Sequence, residues 1–362
     1  MADTSAAAGL TVQQWDDKYF MEALNANIFM PFMGTKENSV IQVKTDLTKK
    51  PGDSVTFALV NKLTNTATTG SNTLEGNEED LTSRSFKVTV DQYRHAVRVP
   101  VLEEQFSAIP LRNAGKSALL DWNMELTRDK IITALGSING VAYASATSTQ
   151  RDVWMVDNVD RVLIGALKSN YSATHATALA NLDNTADKLS PAAVSLMKRI
   201  AKLATPRIRP IKPRKGGVTS DSFFMFAPSL LVRDLSLDTV FVQANREARN
   251  RGKQNPLFAG ADYIWDNVAI FEVEDIDPVP GVGAGNIQVA PCYLCGAQAL
   301  GIAWAKRPQT IEEEFDYKDK QGIAVRQWYE IRKMLFGTGT ADTSDLKDHG
   351  VVTGWFAAVA DA

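Results

Sequence analysis

Residues Val40 to Val99 constrain the fold most, because they read as one long two-stranded arm with a polar tip. The outgoing strand, Ser54 to Val60, alternates Val55, Phe57 and Leu59 against Thr56, Ala58 and Val60. The return strand, Ser85 to Asp91, puts Phe86, Val88 and Val90 on one face and Lys87, Thr89 and Asp91 on the other. Period-two alternation bounded by turn-forming residues is the strand signature. Between the strands, Thr64 to Asn77 is almost all Thr, Asn, Gly, Ser and Ala, with Leu74 its only large apolar side chain. An isolated hairpin of this kind is marginal in water, since one face has nothing to cover it. The expectation is that a second copy of the chain supplies the missing surface.

The rest of the chain can build a core. Apolar content of 44% and charged content of 22% are ordinary for a globular protein, and 362 residues leave room for roughly two domains. The net charge of -3 gives no long-range pull toward nucleic acid or acidic membranes. Met1 to Ala6 lack a basic stretch leading into an apolar core, so no secretory signal is read. No apolar run reaches the ~18 residues that a membrane span needs. Cys292 and Cys295 do not make a disulfide framework, so a reducing cytoplasm is expected during folding.

Several elements can be placed. Asp16 to Ala26 has helical spacing, and Ile28 to Met33 is a dense apolar knot that docks either on its own domain or on a neighbour. Leu111 to Leu135 is the longest helix candidate, bounded by Pro110 and capped by Gly136. Its 25 residues would span ~37 Å, a strut. Gly140 to Lys188 reads as irregular, with helical turns around Val159 to Leu167. Ser190 and Pro191 open a helix with Val194, Met197, Ile200 and Leu203 as its buried stripe, ending at Thr205 and Pro206. Ser222 to Phe226, Tyr263 to Val273, Ile287 to Leu294 and Ile323 to Phe336 read as strands. Pro228 to Leu237 and Asp238 to Arg249 read as helices, and the stretch after Gly337 as a small, polar tail until Trp355 and Phe356.

Chemical motifs are weak. Ala114 to Ser117 ends like a phosphate-binding loop, but Pro110 stands where its first glycine belongs, and no strand leads into it. Gly281 to Gly285 precedes a strand, not the helix that a dinucleotide fingerprint needs. Cys292 and Cys295 have zinc-knuckle spacing without a second ligand pair, and His95, His175 and His349 are not at ligand spacing. Carboxylates cluster at Glu75 to Asp80, Glu272 to Asp277 and Glu312 to Glu314 without a feature that singles out a proton donor, and no catalytic, cofactor or metal residues are assigned. Lys198, Arg199, Lys202, Arg207, Arg209, Lys212, Arg214 and Lys215 form a basic run without an acid or an aromatic. It reads as a solvated face or as a surface for packaged nucleic acid or a neighbouring subunit, not as a single-strand stacking groove.

Longer motifs carry a resemblance. Ile41 to Phe57 (IQVKTDLTKKPGDSVTF), Asn72 to Glu79 (NTLEGNEE) and Asp91 to Arg98 (DQYRHAVR) are similar to the major capsid protein family of N4-type tailed phages. So are Gly296 to Leu300 and Gly322 to Tyr329, and the likeness runs from about Trp15 to Phe336. The resemblance implies an α+β fold of the Hong Kong 97 type. Its parts would be an N-terminal arm (1–45), an E-loop hairpin (46–102) and a peripheral domain (103–189) with a spine helix at about 111–136. An axial domain (190–295), return strands (296–337) and a C-terminal tail (338–362) would follow. It further implies a structural shell subunit of a tailed phage virion, assembled in the host cytoplasm as pentamers and hexamers around double-stranded DNA, with no cofactor and no membrane. A portal and a decoration protein would be further partners. The stretch before Trp15 is short and poor in apolar residues, so scaffolding is expected from a separate protein. An encapsulin-like compartment is the alternative shell, and a nucleotide-dependent enzyme or a stand-alone nucleic-acid binder the remote ones. The acidic tip residues Glu75, Glu78, Glu79 and Asp80, with Leu74, are expected on a basic surface of a neighbouring copy, such as Arg112 or Lys116 on the strut.

Overall fold

A computed structural model describes residues 27–48, 52–107, 109–212, 214–215, 218–219, 221–243 and 263–359. The helix expected at Asp16 to Ala26, and most of the one expected at Asp238 to Arg249, lie outside the described residues. The architecture is mixed α+β, in two compact units.

The larger unit is built on a six-stranded sheet, in the order Tyr263–Trp265, Val268–Glu272, Phe223–Ala227, Val289–Cys295, Val351–Ala357, Val162–Ile164. Every residue of Phe223–Ala227, Val289–Cys295 and Val351–Ala357 is buried. That explains their unbroken apolar runs, since strands covered on both faces do not alternate. Phe223 and Met225 share a core with Val194, Met197, Ile200, Leu231 and Leu235 from the helices Pro191–Leu203 and Ser229–Leu237. Gly354 belongs to this layer because a Cβ there would stand 3.0 Å from both Cys292 Sγ and Met197 Cε. The alternate residues, Phe224 and Phe226, receive the rings of Phe29 and Phe32 at 4.9 to 5.3 Å. The apolar knot thus docks on its own chain. Another cluster joins Trp154, Met155, Leu179 and Leu182 to Val162, Ile164 and Trp355.

Two local expectations are corrected here. Between Gly140 and Lys188 the main helix is Ser148–Asp157, and Val162–Ile164 is a strand. A capping box, Thr147 with Gln150, fixes the start of that helix. Leu203, placed in the buried stripe of its helix, is 63% exposed. Residues on either side of the expected border at 189/190 contribute to the one six-stranded sheet. Residues 338–362, expected as a tail, include the core strand Val351–Ala357, paired along its length with Val289–Cys295.

The hairpin joins Ser54–Val60 to Ser83–Thr89, with Val55 opposite Val88 and Phe57 opposite Phe86. Its apolar face is not left bare for a second copy. Val55, Phe57 and Val88 are buried against Ala303, Met334 and Phe336 of the same chain. Lys44 lies 4.5 Å over the Phe57 ring, and Arg84 donates to the Gly339 carbonyl at 2.6 Å. Ser85 Oγ donates to Asp342 at 2.6 Å. The ribbon's base is a built part of its own subunit, because the apolar end of Ile323 to Phe336, taken as one strand from sequence, turns at Met334 and covers it. The expected hairpin at 46–102 is correspondingly shorter, since Asp91–Pro100 pairs in another sheet.

The smaller unit contains residues 91–127 and 306–328. Here Lys320–Lys333 lies between Leu300–Phe315 and Asp91–Pro100. Leu119, from the helix Leu111–Leu135, is buried with Ile323, Val325 and Val97. Each such side chain taken fully from water contributes roughly 1.5–3 kcal/mol. In the larger unit, Gly136 ends the helix where a Cβ would meet the Tyr293 hydroxyl at 2.8 Å, so close approach is what requires glycine.

Candidate assembly surface

Beyond Val60 the two chains of the hairpin separate into a loop, residues 61–82, most of it exposed. Leu63, Leu74 and Leu81 are 55%, 63% and 68% exposed. The loop nevertheless has internal order. The Glu79 carboxylate accepts from the backbone N–H groups of Thr64 and Asn65 at 2.7 Å and from Thr64 Oγ1 at 3.0 Å. These bonds, that from Asn65 first, hold its pKa below the usual carboxylate range. Glu78 accepts from the Gly76 N–H at 2.6 Å. Of the expected contact acids, Glu79 is therefore a clasp at the neck of the loop. Glu75 and Asp80 stand exposed, as does Glu78.

On the strut, Arg112 and Lys116 both reach Glu312 of the same chain, Lys116 at 2.7 Å. Their hydrogen bonds, that of Lys116 first, lower the Glu312 pKa. Arg112 and Lys116 thus share one carboxylate. A depression of about 280 Å³ is lined there by Leu119, Leu120, Ile323 and Val325 together with Lys116, Thr310 and Glu312. Leu120 is 55% exposed there.

The basic run is divided by the fold. Lys198 is paired with Asp266 at 2.7 Å, Lys202 with Asp221 at 3.6 Å and Arg209 with Glu37 at 3.6 Å. Arg199, Arg207 and Lys212 are exposed. Of Arg214 and Lys215 the backbone forms a short strand facing Val218–Thr219.

Catalytic chemistry finds no support in the motifs. Ala114–Ser117 lies inside the strut helix, where a Cβ on Gly115 would sit 3.4 Å from Val97. Gly281 and Gly285 supply left-handed turns at φ +69° and +67°. Cys292 and Cys295 are buried free thiols, and burial raises the pKa of both. Among the described residues there is no group of three or more His, Cys, Asp or Glu able to hold a metal, and no helix long and apolar enough to cross a membrane.

Sequence reasoning missed a buried polar network. Lys333 Nζ donates to Asp348 Oδ2 at 2.8 Å, with both side chains 1% exposed. Trp154 Nε1 donates to the same oxygen at 3.2 Å. Asn158 Oδ1 accepts from the Asp348 N–H, and Arg161 donates to the carbonyls of Asp348, His349 and Pro206. The available signal was parity, since Lys333 shares its strand face with Tyr329 and Ile331, both buried.

The chain belongs to the phage capsid protein family, whose model matches residues 3–359. It is 29% identical over 386 aligned residues to the major capsid protein of Pseudomonas phage KPP25, covering 97% of both chains. It is 34% identical to a chain of the Cyanophage Pam1 capsid asymmetric unit, covering all of both chains with a TM-score of 0.87. A chain of the Ralstonia phage GP4 capsid, 23% identical, shares the fold over its full length at a TM-score of 0.78. The function is that of a phage major capsid protein, a structural component of the shell and not an enzyme.

Proposed function

We propose that this subunit has the Hong Kong 97 type fold and builds the shell of an N4-type tailed phage. Pentamers and hexamers of the chain would enclose double-stranded DNA and assemble in the host cytoplasm, with a separate scaffolding protein and a portal. Head-to-tail rings close only when the rotation between copies permits it, and many modest contacts then add through multivalency. A division into arm, E-loop, peripheral and axial domains remains part of this proposal, with the E-loop confined to the hairpin Ser54–Val60 and Ser83–Thr89 and the loop between them.

One observation carries the reading: a hairpin anchored at its base presents a loop whose leucines and acids lie in water. We assign that loop to the strut of a neighbouring copy. Leu74 would enter the depression beside Leu120, and Glu75, Glu78 and Asp80 would face Arg112 and Lys116. The exposed Arg199, Arg207 and Lys212 would supply non-specific contact with packaged DNA.

Charge reversal separates assembly from folding. Changing Glu75, Glu78 and Asp80 to lysine, with Glu79 kept as the clasp, should leave the melting temperature of the subunit unchanged. Shell yield, measured by sedimentation and negative-stain microscopy, should fall at least about tenfold, the effect of ~1.4 kcal/mol in an equilibrium. Wild-type shell yield from the triple variant would reject the assignment.

A further inference from the structure

A cavity of about 550 Å³ lies in the larger unit and shares no residue with the hairpin or with the depression beside Leu120. Its walls are the last turns of the helix Leu111–Leu135, the segment Ala142 to Ala144, the loop that carries Asp275 and Asp277, and Pro291, Tyr293 and Trp355 of the six-stranded sheet. The volume is that of a small-molecule site, well beyond a single bound water.

The walls are fixed. Ile276 is 3% exposed, and Val279 exchanges backbone hydrogen bonds with Val289 at 2.7 and 3.0 Å, so the loop is pinned on both sides of Asp277. Arg128, 8% exposed, donates to Asp129 at 3.0 Å and pairs with Asp275 at 3.2 Å, which joins the loop to the helix. Trp355 is 3% exposed, and its indole Nε1 has no hydrogen-bond partner. A buried N–H left without an acceptor in a cavity wall marks a place that water or a ligand completes.

The charges select the guest. The charged residues of the lining are Arg128, Asp129, Asp275 and Asp277, three carboxylates against one guanidinium. Asp277 is exposed and makes no ion pair among the described residues. Both bonds that Asp129 accepts from Arg128 end on Oδ1, so its Oδ2 stays open. The excess of negative charge repels phosphate and nucleic acid. The carboxylates do not gather into a metal site, since no group of three His, Cys, Asp or Glu among the described residues does. Carboxylates set apart in this way suit a cation whose charges are also set apart. Ile132, Val279 and Pro291 offer apolar surface to a methylene stem. The rings of Tyr143 and Trp355, 5.2 Å apart, add the attraction of aromatic faces for ammonium groups.

We propose that this cavity binds an aliphatic diamine in its doubly protonated form, with one ammonium group at Asp277 and the other at Asp129. Water carried in with the ligand would accept from Trp355 Nε1. The site does not depend on the shell reading, because every residue it uses belongs to one unit of one chain.

Isothermal titration calorimetry of the unassembled subunit tests it, with cadaverine as the probe and buffers of matched ionic strength. Cadaverine should bind at one site and, at saturation, raise the melting temperature by about 2 °C or more. Pentylamine, with one charge, should bind about tenfold more weakly, and magnesium should not compete. Asp277→Asn should weaken cadaverine binding about tenfold and leave the melting temperature of the free subunit unchanged, because the side chain is exposed and unpaired. Thr133→Phe, a larger side chain at an exposed position of the wall, should block the site by bulk with every charge kept. Absence of cadaverine binding overturns the proposal. So does pentylamine or magnesium binding as tightly as cadaverine, since one charge or any cation would then suffice. Wild-type affinity in either variant overturns it as well.

Discussion

Asp348→Ala should destabilise the subunit by about 3–5 kcal/mol, the usual cost of removing one partner from a buried ion pair. The reason is the water-free setting of Lys333, whose ammonium loses its carboxylate partner at 2.8 Å and has no solvent to replace it. The ring of Trp154, 5.6 Å away, is a weak substitute. Loss of Asp348 also leaves Trp154 Nε1 without its acceptor. Lys333→Met should be similarly damaging, because it strands the carboxylate with Trp154 alone on Oδ2. Replacing both charges together, as Lys333→Met with Asp348→Leu, should recover much of the loss, since two fitting apolar groups remove both desolvation penalties. Thermal unfolding of the unassembled subunit measures this, with each single variant melting on the order of 10 °C lower. If the double variant melts as low as the sum of the singles predicts, the charges are not coupled and the pair is not the source of the stability. A wild-type melting temperature for Asp348→Ala would reject the argument outright.

The network illustrates what sequence pattern conveys and what it does not. The hairpin was legible because alternation and turn chemistry are local properties. Ser54–Val60 lies at the bounds its alternation predicts, whereas the return strand, expected at Ser85 to Asp91, runs Ser83–Thr89, because Asp91 opens the next strand in another sheet. The strut was legible because helical spacing runs on between Pro110 and Gly136. The Ser190 cap was legible too, with its hydroxyl accepting from the Ala193 N–H. What covers the hairpin was not legible, because Ala303, Met334 and Phe336 are far away in sequence and an apolar face does not name its partner. Val351–Ala357 was missed for a related reason. Gly354 and the small residues near it read as tail, yet a small side chain is what the contact with Cys292 and Met197 demands. Of the contact residues, the clasp role of Glu79 depends on two backbone N–H groups that composition cannot place.

Acid should weaken the subunit as soon as the pH falls below the ordinary histidine value of 6.5. His175 is 3% exposed and packed among the rings of Tyr143, Trp154 and Trp355, and its Nε2 has no hydrogen-bond partner. Burial, reinforced by Arg151 and opposed by Asp152, lowers its pKa to about 4. His349 is 7% exposed, edge-on to Phe336, and burial with Arg161 and Arg209 also lowers it to about 4. Both imidazoles are ordinary in the unfolded chain, at 6.5. Between pH 6.5 and about 4 the unfolded state therefore binds more protons than the folded one. Stability is whole above that window, falls as the pH drops through it, and levels off below. A shift of this size corresponds to roughly 3 kcal/mol for each histidine. The exposed carboxylates with lowered pKa, Glu79 and Glu312 among them, lose their contribution only at lower pH, as protonation passes through their folded values. Melting temperature followed from pH 7.5 to about 4.5 should fall steadily for the wild-type subunit. His175→Phe keeps an aromatic ring where no hydrogen bond is lost, and should flatten that slope by about half; adding His349→Gln should remove most of the remainder. A wild-type melting temperature that stays level across this range would show that neither imidazole is held neutral by the fold.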